Sequence, residues 1–94
     1  MKIFSDDESQ DAHEEFQRWR RENEAGFFIN CRTKNDLMLH RVLCPHHGDT
    51  TWARSDGASL TKRPKVCSIN RQELVNWARA QSKKLLKICN DCAP

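Results

Sequence analysis

Four residues in two short pairs hold most of the chemistry this chain can do. His40-Arg41-Val42-Leu43-Cys44 and Cys89-Asn90-Asp91-Cys92 each bring two soft donors within a turn of one another. A Cys-x-x-Cys turn places two thiolates on one ion and leaves backbone N–H groups to hydrogen-bond to sulfur. A His-x-x-x-Cys pair adds an imidazole from a strand end and a thiolate from the next turn. Three thiolates and one imidazole complete a tetrahedral shell, and a closed shell of protein donors is structural rather than catalytic. Thiolate softness favours zinc over magnesium or calcium. The expected cofactor is one structural zinc ion on His40, Cys44, Cys89 and Cys92, with no catalytic residue.

His46 and His47 lie at Cys-x-His and Cys-x-x-His spacing from Cys44 and compete with His40 for the fourth place. The bland alternative makes Cys89 and Cys92 a redox pair or inert thiols, and His40 an ordinary sheet residue. Redox pairs sit at helix starts, where the dipole lowers the thiol pKa, and Ala93-Pro94 opens no helix. Cys31 and Cys67 lie in apolar runs and are expected to be small buried hydrophobes. His13, among acids, is expected to be solvated.

Periodicity supplies the elements that must position these donors. Ser5-Asp6-Asp7-Glu8 has the form of a capping box, and Ala12, Phe16, Trp19 and Asn23 then recur on one face. That predicts an amphipathic helix over 6–24, ended by Gly26. Residues 26–32 and 37–41 read as a hairpin around a polar turn. Residues 48–63 read as a long Gly/Ser/Thr/Asp-rich loop, and 64–67 as a short strand. A second capping box, Asn70-Arg71-Gln72-Glu73, opens a helix to about 82 with Leu74, Trp77, Ala78 and Gln81 inward. Residues 83–88 return as a strand that delivers Cys89. The expected fold class is α+β, order α-β-β-β-α-β: a single domain over 1–94, its first helix preceding a zinc module over 26–93.

Composition bounds the rest. The 94 residues are 37% hydrophobic and 31% charged, which suits one small globular domain. A core of this size is marginal and is commonly supplemented by a metal or disulfides. Five cysteines cannot all pair, and no signal-peptide pattern opens the sequence, so the expected setting is the reducing cytoplasm. The longest apolar runs, 26–29 and 84–88, are too short for a bilayer span, so no membrane partner is expected. Charge is uneven. Residues 1–25 carry four Lys or Arg against eight acids, net −4, while 26–94 carry twelve against five, net +7.

The half-sites resemble a known layout. The zinc-binding N-terminal domain of the Ada methylphosphotriester-repair family has Cys-x-x-x-Cys, a sheet-and-helix segment, then Cys-x-x-Cys. His40 stands here in place of the first Cys, with Cys44, Cys89 and Cys92 in the other three positions. The chain is also similar to small Ada-like modules, some attached to nucleases, at Gly26-Phe27, Asn30, Met38-Leu39-His40-Arg41, Cys44, Lys65-Val66-Cys67, Leu74, Trp77-Ala78, Cys89 and Cys92. The resemblance spans about 16–93 and favours His40 over His46 and His47 as the ligand. It implies the fold and the zinc, while an imidazole at the methyl-accepting position cannot repeat thiolate alkylation.

The basic module points to nucleic acid, linked to DNA modification, repair or restriction, as the leading partner. Trp52 beside Arg54 could stack on a base, and Lys62, Arg63, Lys83, Lys84 and Lys87 could meet phosphates, as could Arg32, Lys34 and Lys65. Two other classes stand beside this reading. One is a protein-interaction adaptor that docks a partner on the acidic helix 6–24. The other is an enzyme, either a zinc-thiolate methyl acceptor at Cys44 or a nuclease using His46 and His47.

Overall fold

The computed structural model describes residues 1–44, 59–81, 84–90 and 92–94. Its elements are β1 (Lys2–Phe4), α1 (Ala12–Glu22), β2 (Phe27–Thr33), β3 (Asp36–Arg41), β4 (Lys65–Ser68), α2 (Arg71–Gln81) and β5 (Lys87–Ile88), with a 3-10 turn at Leu60–Lys62. The α+β class and the central order agree with the sequence expectation. The strands form one sheet in the order β1-β4-β2-β3-β5. Every neighbouring pair is antiparallel except β3 and β5, which run parallel.

Strand alternation divides the apolar residues between two faces. Ile29, Leu37, Leu39 and Val66 meet Leu74 and Ala78 of α2 in one cluster. Phe28 and Cys67 point the other way and join Phe16 of α1 and Val42. The sheet is therefore a middle layer with one helix on each face. The expected hairpin is β2–β3, paired from Phe27↔Arg41 to Thr33↔Asp36 with a register shift between Cys31 and Thr33.

Several local expectations give way to tertiary contacts. β1 was not expected; it pairs along β4 as Lys2↔Cys67 through Phe4↔Lys65 and is too short to show alternation. The first helix begins at Ala12 rather than residue 6. Ser5 does not cap it: its carbonyl instead accepts the Glu8 and Ser9 N–H groups in a local turn. The Asp6 carboxylate accepts the Ser59 and Thr61 hydroxyls, and the Asp6 N–H donates to the Thr61 carbonyl at 3.0 Å. Asp6 is thus held by the 59–61 segment, and residues 6–8 form a turn that does not continue into α1.

The buried stripe of α1 is also turned from the expected one: Ala12, His13, Phe16, Gln17 and Arg20 face inward, while Trp19 and Asn23 are half-buried. His13 is fully buried, not solvated, and its Nδ1 accepts the Leu60 N–H at 2.9 Å. Gly26 is not in the left-handed region. Its place is set by room, because a Cβ there would lie 3.0 Å from Trp19 Cη2 and 3.1 Å from the Asn23 carbonyl oxygen.

α2 is closer to its sequence. Asn70 Oδ1 accepts the Glu73 N–H at 3.3 Å, the first half of a capping box. The second half is diverted, since Glu73 Oε1 accepts the Ser68 hydroxyl at 2.8 Å and pairs with the Met1 ammonium at 3.2 Å. Leu74 and Ala78 are buried and Trp77 half-buried, but Gln81 is exposed rather than inward. The last strand is shorter than expected, 87–88 instead of 83–88. Among the described helices, none is long and apolar enough to cross a membrane.

Two buried cysteines differ in how hard they are packed. Cys67 is fully buried and Cys31 half-buried. Burial pushes the Cys31 thiol up to about 11 and the Cys67 thiol higher still. Neither is a reactive thiolate near neutral pH. Cys67→Ala is expected to lower stability by about 1–3 kcal/mol through lost packing. Cys31→Ala should cost less, and both variants should keep the metal; denaturant melts with metal analysis check this.

Candidate metal centre

β3 ends on the α1 face with His40, which is buried and stacked on Phe28, ring centroids 5.1 Å apart. The chain then turns sharply, with the Cys44 N–H donating to the Arg41 carbonyl at 3.0 Å. Val42, at the centre of that turn, is fixed from three sides. Its side chain is buried with Phe16 and Phe28, and its N–H donates to the Gly26 carbonyl at 3.0 Å. Its carbonyl accepts Nη2 and Nε of Arg20, at 3.0 and 3.4 Å.

Arg20 itself is fully buried. It donates to Gln17 Oε1 at 2.9 Å, and its guanidinium lies over the Phe16 and Phe28 rings. A buried charge needs such a complete set of partners. Arg20 is therefore the residue through which α1 holds the first half-site.

The second half-site arrives on β5. Met38↔Lys87 and Leu39↔Ile88 pair in parallel, and the Cys89 N–H extends the ladder to the Leu39 carbonyl at 3.1 Å. Lys87 Nζ reaches Asp36 Oδ1 at 3.0 Å and ties β5 to the start of β3. This hydrogen bond is the main reason the Asp36 carboxyl is held below the usual carboxylate range. After Cys89 the backbone closes on itself, with the Ala93 N–H donating to the Cys89 carbonyl at 3.1 Å and Ala93 in the left-handed region at φ 44°.

Arg41 joins the halves, a role its sequence position between two ligands hinted at but did not reveal. Its N–H donates to Cys92 Sγ at 3.2 Å. Its guanidinium donates to the Cys92 carbonyl at 2.9 Å and the Ala93 carbonyl at 3.1 Å, and lies over Phe27. Arg20 was less legible still: an arginine four residues after Phe16 reads as solvated unless its partners are known.

The outcome is a cluster in which one donor atom from each of His40, Cys44, Cys89 and Cys92 lies within 4.8 Å of the other three. Cys44 Sγ and Cys89 Sγ are 3.8 Å apart. A disulfide would need about 2.05 Å. Two thiolates at about 2.3 Å from a tetrahedral zinc stand about 3.8 Å apart. The spacing suits one shared metal ion, and His40, Cys44 and Cys89 are buried while Cys92 is partly exposed.

Among the described residues, no other candidate is gathered at this centre. His46, His47, Trp52, Arg54 and Lys83 lie outside the described residues. Lys62, the last residue of the 3-10 turn, and Arg63 after it are exposed, beside Asn30 and Lys65. Lys84 and Lys87 are exposed around β5, and Lys84 borders a different groove. Lys65, expected to reach a phosphate, is instead buried. Its Nζ donates to Asn30 Oδ1, the Leu60 carbonyl and the Arg63 carbonyl at 2.9, 2.6 and 2.9 Å, and desolvation lowers its pKa to about 8. It fastens the 59–63 segment to the sheet. Arg32 pairs with Asp36 at 3.7 Å.

Comparison with protein-family models, with curated proteins and with solved structures found no match.

Ligand substitutions separate the four donors from their rivals. His40→Ala is expected to lose metal affinity and thermal stability, whereas replacing both His46 and His47 by Ala should leave one metal equivalent bound. Retention of metal by the first variant and its loss in the second would move the half-site beyond Cys44. Arg41→Ala should keep all four donors and the backbone N–H on Cys92 Sγ, losing only the guanidinium bonds to the Cys92 and Ala93 carbonyls. Metal should therefore bind more weakly, but by less than the roughly 10–100-fold typical of losing a hydrogen bond to a ligand. Competition with a chromogenic chelator measures each.

Proposed function

We propose that this chain is a structural-zinc module whose work is binding rather than catalysis, with nucleic acid as its partner. The observation that carries the first part is the His/Cys3 cluster with its 3.8 Å sulfur–sulfur spacing. Four protein donors fill a tetrahedral shell and leave no position for a substrate or an activated water. His40, Cys44, Cys89 and Cys92 would hold the ion, which when bound supplies cross-linking and no reaction step. Structural zinc contributes about 10–16 kcal/mol in zinc-finger peptides, against a net stability of about 5–15 kcal/mol for a typical domain. On those magnitudes the metal decides whether a domain of this size folds. The reading as an Ada-like module, with a link to DNA modification, repair or restriction, rests on the motif positions named above.

The nucleic-acid part is supported by charge. Lys62 and Arg63 stand exposed beside the Asn30–Lys65 pocket, next in sequence to the segment that carries Trp52 and Arg54. Glu14 and Glu22 are exposed on α1, the helix that covers the opposite sheet face from α2, while Glu15 is half-buried. Those carboxylates favour the second reading, a protein-interaction adaptor with a cationic partner for α1.

Protein purified without chelator should contain close to one zinc per chain, and Cys89→Ser should be unfolded; a well-folded metal-free protein at neutral pH would refute the structural role. If nucleic acid is the partner, three or four phosphate contacts should give a log–log salt slope of roughly −3 on single strands. Trp52→Ala should then weaken binding by about 1–3 kcal/mol, the worth of one stacked base, with little change in melting temperature. Titration of tryptophan emission at low and moderate salt measures both. Absence of binding at low salt would leave the adaptor reading in its place.

A further inference from the structure

The most exposed large apolar side chain among the described residues is Leu85, 95% accessible, and Ile88 three residues on is 42% accessible. Both border a groove of about 360 Å³ between α2 and β5, whose floor is completed by Val75 and Leu86. The remaining described lining residues are Arg71, Arg79 and Lys84, so three cations surround an apolar floor and no acid does. Asp36, at the start of β3, is engaged by Lys87 and Arg32. β5 ends the sheet, with β3 on one side and no described strand on the other.

We propose that this groove docks an extended acidic peptide segment of a partner protein, laid along the open edge of β5. Three features define the ligand. An edge strand offers backbone N–H and C=O groups in the pattern that an added strand pairs with. Arg71, Val75 and Arg79 are spaced four residues apart and share one stripe of α2, so the two guanidinium bases are about 12 Å apart along the helix. In an extended chain, residues i and i+4 are about 13 Å apart and project from the same face, with i+2 between them. The fitting pattern is acid-x-apolar-x-acid: two carboxylates for Arg71 and Arg79, and an apolar side chain over Val75, Leu85 and Ile88. Nucleic acid fits less well. Its phosphates gain nothing from exposed leucine and isoleucine, and no aromatic ring lines the groove among the described residues to stack on a base.

Two substitutions on the exposed rim test this in the zinc-loaded full chain. The probe is a fluorescein-labelled peptide Gly-Glu-Thr-Leu-Thr-Glu-Gly, followed by fluorescence anisotropy, with zinc content and far-UV circular dichroism confirming that each variant is folded. Saturable binding should weaken at least tenfold in Arg79→Glu and, separately, in Leu85→Ser. Exchanging both glutamates of the peptide for lysines should abolish binding to the unmodified protein. Binding that is absent, or indifferent to both substitutions, overturns the proposal. So does an oligodeoxythymidine that binds here, loses affinity in Arg79→Glu and ignores Leu85→Ser, since the groove would then be a phosphate contact. Self-association in sedimentation that Arg79→Glu abolishes, with no peptide binding, overturns it in favour of a second copy. Lys62 and Arg63 lie outside this groove, so failure of nucleic-acid binding there leaves the test intact.

Discussion

The C-terminal segment is held to the sheet by a short ladder against β3, the Lys87–Asp36 ion pair, the Arg41 hydrogen bonds to Cys92 and Ala93, and the convergence of four donor atoms. β5 has only Lys87 and Ile88 in register with β3, and both are exposed. Leu85 next to them contributes nothing to the core, being almost wholly accessible. Among the described residues of 84–94, apolar burial comes mainly from Leu86, packed against the α2-side core, and from Cys89, itself one of the four donors. Three thiol groups and an imidazole lie within 4.8 Å of one another and would add a further attraction if a cation neutralised the thiolates. That convergence sits beside the parallel pairing of β5, the Arg41 contacts to Cys92 and Ala93, and the groove between β5 and α2.

The opposite end of the molecule obeys a different rule. There, polar groups buried with complete partners take the place of a metal. Lys65 uses all three of its protons on oxygens, His13 accepts a backbone N–H, and Asp6 gathers two hydroxyls. Each would be destabilising alone in a low-dielectric interior. Together they fix the 59–63 segment between α1 and β4, where a small chain has too little apolar surface to do so. Arg20 connects the two regimes, since it belongs to the helix that carries His13 and yet holds the backbone between His40 and Cys44.

This division explains which parts were legible in the sequence. The grouping of His40, Cys44, Cys89 and Cys92 was, because His-x-x-x-Cys and Cys-x-x-Cys fix donor chemistry and spacing locally. The hairpin and α2 were too, because alternation, a polar turn and the Asn70 cap all act within a few residues. The start of α1 was not. Ser5 through Glu8 carries a sound capping pattern, but Asp6 is claimed by hydroxyls more than fifty residues away. His13 and Lys65 misled in the same direction: isolated charged or titratable residues read as solvated, and only their long-range acceptors show otherwise. β5 was read too long because Leu85 and Leu86 look like strand interior, whereas the ladder begins at Lys87.

The two halves of the metal centre also differ in how they come into being. His40 and Cys44 are presented by a hairpin whose contacts are local, so that half needs little chain closure to form. Cys89 and Cys92 must return across more than forty residues, and the entropy of closing such a loop has to be met before any stabilising contact is made. An ion would thus be met first by a two-donor mouth and enclosed afterwards by the tail. Departure would run the same route in reverse: the strand that carries Cys89 and Cys92 would let go while the hairpin still held on. The lifetime of an ion on the protein would then be set by how often the two-residue β5 ladder opens, and less by the strength of any single metal–ligand bond.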